Sequence, residues 1–108
     1  ACNYCLAAHT MLGRKAGASA EEMTSAQRGE SQDARTAVAL RFAIQLVETR
    51  GQVGTSDVQA LRDAGFDDEQ VVEIVAHVAL NLFTNYVNLA FDVPVDFPPV
   101  RLQARQGA

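Results

Sequence analysis

Residues 74–91 read Ile-Val-Ala-His-Val-Ala-Leu-Asn-Leu-Phe-Thr-Asn-Tyr-Val-Asn-Leu-Ala-Phe, a run without one Asp, Glu, Lys or Arg. Asp67, Asp68 and Glu69 stand just before it and supply the negative first turn that a helix N-terminus favours. The pattern predicts one long helix reaching about Phe91. Its length would admit a membrane span. Against a span stand His77, Asn81, Thr84, Asn85 and Asn88, which in hydrocarbon without partners would cost on the order of several kcal/mol each. On a helical wheel these five gather on one side, while Val71, Val75, Val78, Ala79, Leu82, Tyr86 and Leu89 make an apolar face. A solvated face normally carries long charged side chains. This stripe carries short neutral ones, so we expect it to be enclosed, either against another subunit or lining a pocket that faces Cys5, with ordinary hydrogen-bonded core packing as the alternative. His77, Asn81 and Asn85 are its candidate pocket or interface residues.

Outward from that helix the chain reads as further helices separated by short punctuation, with no period-2 run long enough for a sheet. A first helix, with Asn3 available as its cap, stops at Gly17 after Arg14 and Lys15. Ser19 followed by Glu22 is a capping-box pattern that opens a short helix ending near Gly29. A third helix runs from about Gln32 to Arg50, and its stretch Ala37 to Val47, apolar except for Arg41 and Gln45, is expected to be largely enclosed. A fourth begins at Thr55 or Ser56 and ends at Gly65. From Asp92 to Pro99, Pro94, Pro98 and Pro99 forbid a helix and predict an extended arm. The expected fold is an all-α bundle of about five helices with an extended, Pro-containing C-terminal tail. With 108 residues and 48% hydrophobic content, we expect a single domain over 1–108.

The net charge is −4, and the basic residues are scattered arginines and Lys15, so no basic stripe exists for phosphates and nucleic acid is not an expected partner. Two cysteines without a signal-like segment read as an intracellular, cytoplasmic dithiol rather than a secreted disulfide framework.

Those cysteines stand in Ala-Cys-Asn-Tyr-Cys-Leu-Ala-Ala-His-Thr, residues 1–10. On a helix Cys2 and Cys5 lie about 60° apart and His9 falls between them. Cys5 and His9 are i, i+4 neighbours, so the imidazole can take the thiol proton and leave a thiolate, which the first turn of a helix also favours. A c-type haem site needs His directly after the second Cys, where Leu6 stands. A thioredoxin-like site needs alternating strands and helices, and none is visible. A zinc site through Cys2, Cys5 and His9 lacks a further ligand pair, His77 being the other histidine. A pair of small buried cysteines is the bland alternative. The face shared with His9 favours redox chemistry, with no metal and no cofactor. Positions i and i+3 on a helix hold their Cβ atoms slightly farther apart than a disulfide prefers, so a bridge needs a small adjustment and suits a turnover disulfide better than a permanent staple.

The stretch CNYCLAAHTMLGRKAG, together with the helix ending in ALNLFTNYVNLAFDVPVDFP, resembles the carboxymuconolactone decarboxylase superfamily in its alkylhydroperoxidase AhpD-like branch. The resemblance covers most of the chain, and its specific part is the CxxC-x3-H signature. It implies an all-helical fold whose small subunits form homo-oligomers, trimers or hexamers. It also implies an alkyl hydroperoxide reductase in which Cys5 is peroxidatic, Cys2 resolves and His9 belongs to a proton relay. The implied partners are an organic hydroperoxide and an external dithiol reductant. The family's relay usually includes a Glu about a dozen residues before the first Cys, whereas only Ala1 precedes Cys2 here. We therefore expect helices upstream of this chain, with Glu30, Asp33 and Glu48 as the substitutes within it. Two other functions compete. One is a carboxymuconolactone decarboxylase-like enzyme, holding a carboxylate-bearing lactone with His77, Arg41 and the Asn stripe. The other is a non-catalytic oligomeric protein with a vestigial dithiol.

Overall fold

A computed structural model describes residues 2–101. Among them are five α-helices and no strand: α1 Asn3–Lys15, α2 Ala20–Gln27, α3 Ala34–Glu48, α4 Thr55–Asp63 and α5 Asp68–Ala90. The all-helical expectation therefore stands. Residues 91–101 are not helical, as their prolines require. No helix among the described residues is long and apolar enough to cross a membrane. Two compact units divide the described chain: residues 2–28 with 81–101, and Gly29–Leu80. Helix α5 contributes its C-terminal part to the first and its N-terminal part to the second.

In the first unit α1 packs against α2. Gly13 lies at the contact, where a Cβ would come 2.6 Å from Sδ of the flexible Met23 side chain. Ser19 opens α2 as expected: its N–H donates to Glu22 Oε2 at 2.6 Å, and the Glu22 N–H donates to Ser19 Oγ at 3.1 Å. These bonds hold the Glu22 carboxyl below its ordinary range. The buried residues here are Cys2, Cys5 and Ala7, all on or next to α1. The Tyr4 ring meets Phe97 of the tail edge-on, with centroids 5.5 Å apart.

In the second unit α3 packs on α4 around Phe42 and the fully buried Leu61. Asp33 caps α3, accepting from Thr36 N at 2.8 Å and from Thr36 Oγ1 at 2.6 Å, so the helix begins two residues after Gln32. Helix α4 begins at Thr55 as expected, with Gly54 as its N-cap, whose N–H donates to Asp57 Oδ2 at 2.9 Å. Arg35 lies over the Phe66 ring at 4.1 Å and donates to Gly65 O and Gln70 Oε1, tying the start of α3 to the turn before α5. Gly29 takes a φ of +73° where a Cβ would run into Ile44 Cδ1.

One expectation about faces holds and one needs correction. Across Ala37–Val47 of α3 Phe42 is buried, Arg41, Gln45 and Val47 are exposed, and the other seven residues are half-buried, so the polar edge falls where it was expected and widens to include Val47. On α5 the apolar face is split. Val71, Val78 and Leu82 are half-buried, but Val75, Ala79, Tyr86 and Leu89 are exposed. The half-buried residues of α5 are Gln70, Val71, Ile74 and Val78 in the second unit and Leu82, Thr84, Asn85, Val87 and Asn88 in the first.

Candidate redox site at the start of the first helix

The N-cap of α1 is Cys2, not Asn3. Cys2 is extended, with φ −120° and ψ 101°, and its Sγ accepts the Cys5 N–H at 3.2 Å. Sulfur thus occupies the place that a Ser or Asp oxygen takes in an ordinary cap, on the N–H three residues ahead. Asn3 becomes the first helical residue, and Cys5 falls in the first turn as expected. Cys2 and Cys5 are joined by a disulfide with Cα atoms 5.3 Å apart, a usual separation for such a bond. Both residues are buried, at 9% and 8% exposure.

Each sulfur has an N–H donor. For Cys2 it is the Cys5 backbone at the positive end of α1. For Cys5 it is the side-chain amide of Asn88 on α5, whose Nδ2 stands 3.3 Å from Sγ. A disulfide sulfur carries no proton, so only the NH2 end of an amide can bond to it. Donors aimed at sulfur favour the charged thiolate once the bond is reduced.

Tyr4 sits between the two cysteines and leads to the tail. Desolvation, followed by the neighbouring Asp96 carboxylate, pushes its pKa above the ordinary tyrosine value. Together with the Phe97 ring contact this seats the arm against the Cys2–Cys5 turn.

The residues anticipated for the site fare differently. His9 lies one helical turn beyond Cys5, as its spacing requires, but it is exposed and makes no hydrogen bond to either sulfur among the described residues. His77 and Asn81 are exposed on α5 and Asn85 is half-buried. From that stripe the structure brings Asn88 to the sulfur. Asp33 is committed to capping α3, where the Thr36 bonds lower its pKa. It lies with Glu30 and Glu48 in the unit Gly29–Leu80, outside the cysteine-bearing one. Arg41 lines a groove of about 330 Å³ between α3 and α4, which also contains Asp57, held by Gln45 Nε2 at 3.2 Å. No group of three or more His, Cys, Asp or Glu among the described residues is placed to hold a metal ion.

Comparison of the chain with protein-family models, curated proteins and solved structures gives no match.

Missing from the sequence reading were Asp96 as the partner of Tyr4 and Asn88 as the partner of Cys5. Asn88 was visible as a member of the stripe, but nothing in the wheel ranks it above Asn81 or Asn85. What decides is its position relative to α1, which lies at a sequence separation of 83.

Proposed function

We propose that the chain is a CxxC-dependent dithiol oxidoreductase that reduces alkyl hydroperoxides. The observation that carries this reading is the Cys2–Cys5 disulfide across the first turn of α1, with an N–H donor on each sulfur. A short bridge at a helix N-terminus is well suited to cycling, because the dipole and the donors favour its reduced, ionised form.

In the oxidative half, His9 takes the Cys5 thiol proton and the Cys5 thiolate attacks the terminal, hydrogen-bearing oxygen of the hydroperoxide. The O–O bond breaks, the alkoxide leaves as the alcohol with the proton from His9, and Cys5 becomes the sulfenic acid. The Cys2 sulfur then attacks the Cys5 sulfur. The S–S bond forms, and the sulfenic hydroxyl leaves as water with the Cys2 proton. An external dithiol returns the two electrons by exchange and is itself oxidised to a disulfide. His9, exposed one turn away, has access to both the incoming peroxide and bulk water.

The same proposal assigns the chain to the AhpD-like branch of the carboxymuconolactone decarboxylase superfamily and to a reducing, cytoplasmic setting. It includes a homo-oligomer, trimer or hexamer. Supporting that assembly, Phe83 and Tyr86 on α5 are 66% and 65% exposed, with Val72 and Leu80 also outward. The competing lactone decarboxylase reading finds less support, since the groove that contains Arg41 also presents the Asp57 carboxylate to an anionic substrate.

Single-cysteine variants test the assignment of roles. Cys5→Ser abolishes hydroperoxide consumption, and Cys2→Ser retains one turnover and accumulates a sulfenic acid that dimedone traps. Undiminished turnover by Cys5→Ser refutes the proposed chemistry.

A further inference from the structure

We infer that Asn88 is a further catalytic residue: its side-chain amide, donated to Cys5 Sγ, makes Cys5 the sulfur that carries charge, both as the attacking thiolate and as the leaving group on reduction. The inference rests on the dithiol reading above and adds to it the group that distinguishes the two sulfurs.

The two donors differ in kind. The N–H that reaches Cys2 Sγ belongs to the backbone of α1 and is present in any helix that starts there. The N–H that reaches Cys5 Sγ comes from another helix, through a side chain that the fold must hold in place. Asn88 is half-buried on α5, and Asn85, also half-buried, lies one turn before it. An amide sheltered from water exchanges little of its hydrogen-bonding strength with solvent, so removing it is felt at the sulfur. Charge on sulfur strengthens the bond, since a thiolate is a better acceptor than a disulfide or thiol sulfur.

The consequence for exchange chemistry follows. When the external dithiol's thiolate attacks the bridge, one sulfur forms the mixed disulfide and the other departs with the electron pair of the S–S bond. The better-stabilised thiolate leaves faster. With Asn88 donating to Cys5, attack falls on Cys2 and Cys5 departs. The second thiol of the reductant then displaces Cys2, leaving the reductant as its disulfide and both protein sulfurs reduced. The sulfur freed first is the one that next meets hydroperoxide.

The test measures each thiol separately, in reduced Cys2→Ser and Cys5→Ser backgrounds, by the pH dependence of alkylation with iodoacetamide. Asn88→Leu raises the Cys5 pKa by about one to two units, the value of one hydrogen bond to a charged group, and leaves the Cys2 pKa in place. Asn88→Asp, which keeps the shape, removes the donor and adds a negative charge, raises it further. Far-UV circular dichroism establishes that each variant is folded, and Asn88→Asp serves if Asn88→Leu is not. An unchanged Cys5 pKa in a folded variant, or equal shifts at Cys2 and Cys5, overturns the inference. The readout does not involve hydroperoxide. Persistent turnover with no Cys5 shift removes Asn88 and leaves the proposed function, whereas a selective shift without any turnover retains Asn88 and removes the peroxidase.

Discussion

Breaking the Cys2–Cys5 bond should leave the protein folded, and the expected loss can be worked from the structure. The bridge joins residues three apart in sequence, so it closes one of the smallest loops a disulfide can close. In the chain-entropy account, the stabilisation grows with the logarithm of loop length, and for about four residues it comes to about 2 kcal/mol. The reduced native state recovers part of that, because the helix N-terminus and Asn88 both favour a thiolate that the unfolded chain holds in water. About 2 kcal/mol is therefore an upper figure. The assay is urea denaturation of the oxidised and the fully reduced protein, followed by far-UV circular dichroism, with thiol titration at each end. With an ordinary urea dependence for a small protein, the midpoint falls by about 1 M or less and the slope changes little. Loss of helical signal on reduction in buffer alone, or a stability loss of twice that size, would mean that the bond is a structural staple. Turnover through the disulfide would then be untenable.

Gly29→Ala places a Cβ against Ile44 Cδ1 at a φ of +73° and should cost about 2 kcal/mol or more; Ile44→Val, which removes that methyl, should return part of the loss in the double variant, as denaturant midpoints will show. Leu61→Ala empties the fully buried position between α3 and α4 and should lower stability by roughly 3 kcal/mol in the same assay. Glu22, whose folded pKa is lowered by Ser19, contributes stability above the unfolded carboxyl range and loses it as pH falls through the lowered folded value. Thermal melts taken from neutral to acid pH should therefore fall less steeply in Glu22→Gln than in the parent chain.

The elements were readable where the determinants are local. Ser19 and Glu22 form the capping box within one turn, and Gly17, Gly29, Gly51 and Gly65 take the positive φ values that stop helices. Asp67 to Glu69 placed the start of α5 within a residue of Asp68, and the charge-free run placed its end at about Phe91, one residue beyond the observed Ala90. The prolines kept the tail out of a helix. The misplaced features depend on partners far along the chain. The wheel of α5 weights every apolar residue equally, but the inward direction is set by what the helix meets, and Asn88 meets Cys5 at a separation of 83. Tyr4 with Asp96 and Phe97 is another such pairing. The cap of α1 was missed for a different reason. Sulfur is not among the usual cap atoms, and only the extended backbone of Cys2 brings it onto the Cys5 N–H. The Cys2–Cys5 pairing was anticipated from CxxC spacing, whereas the direct reach of His9 to sulfur was expected from i, i+4 spacing and is not made in the disulfide form.

The most direct test of the account adds one equivalent of an organic hydroperoxide to the reduced protein and follows intact mass and free thiols with time. The account predicts rapid loss of two hydrogens, mapped to Cys2 and Cys5, with one alcohol formed per disulfide. Thiols that persist while the hydroperoxide survives would contradict it.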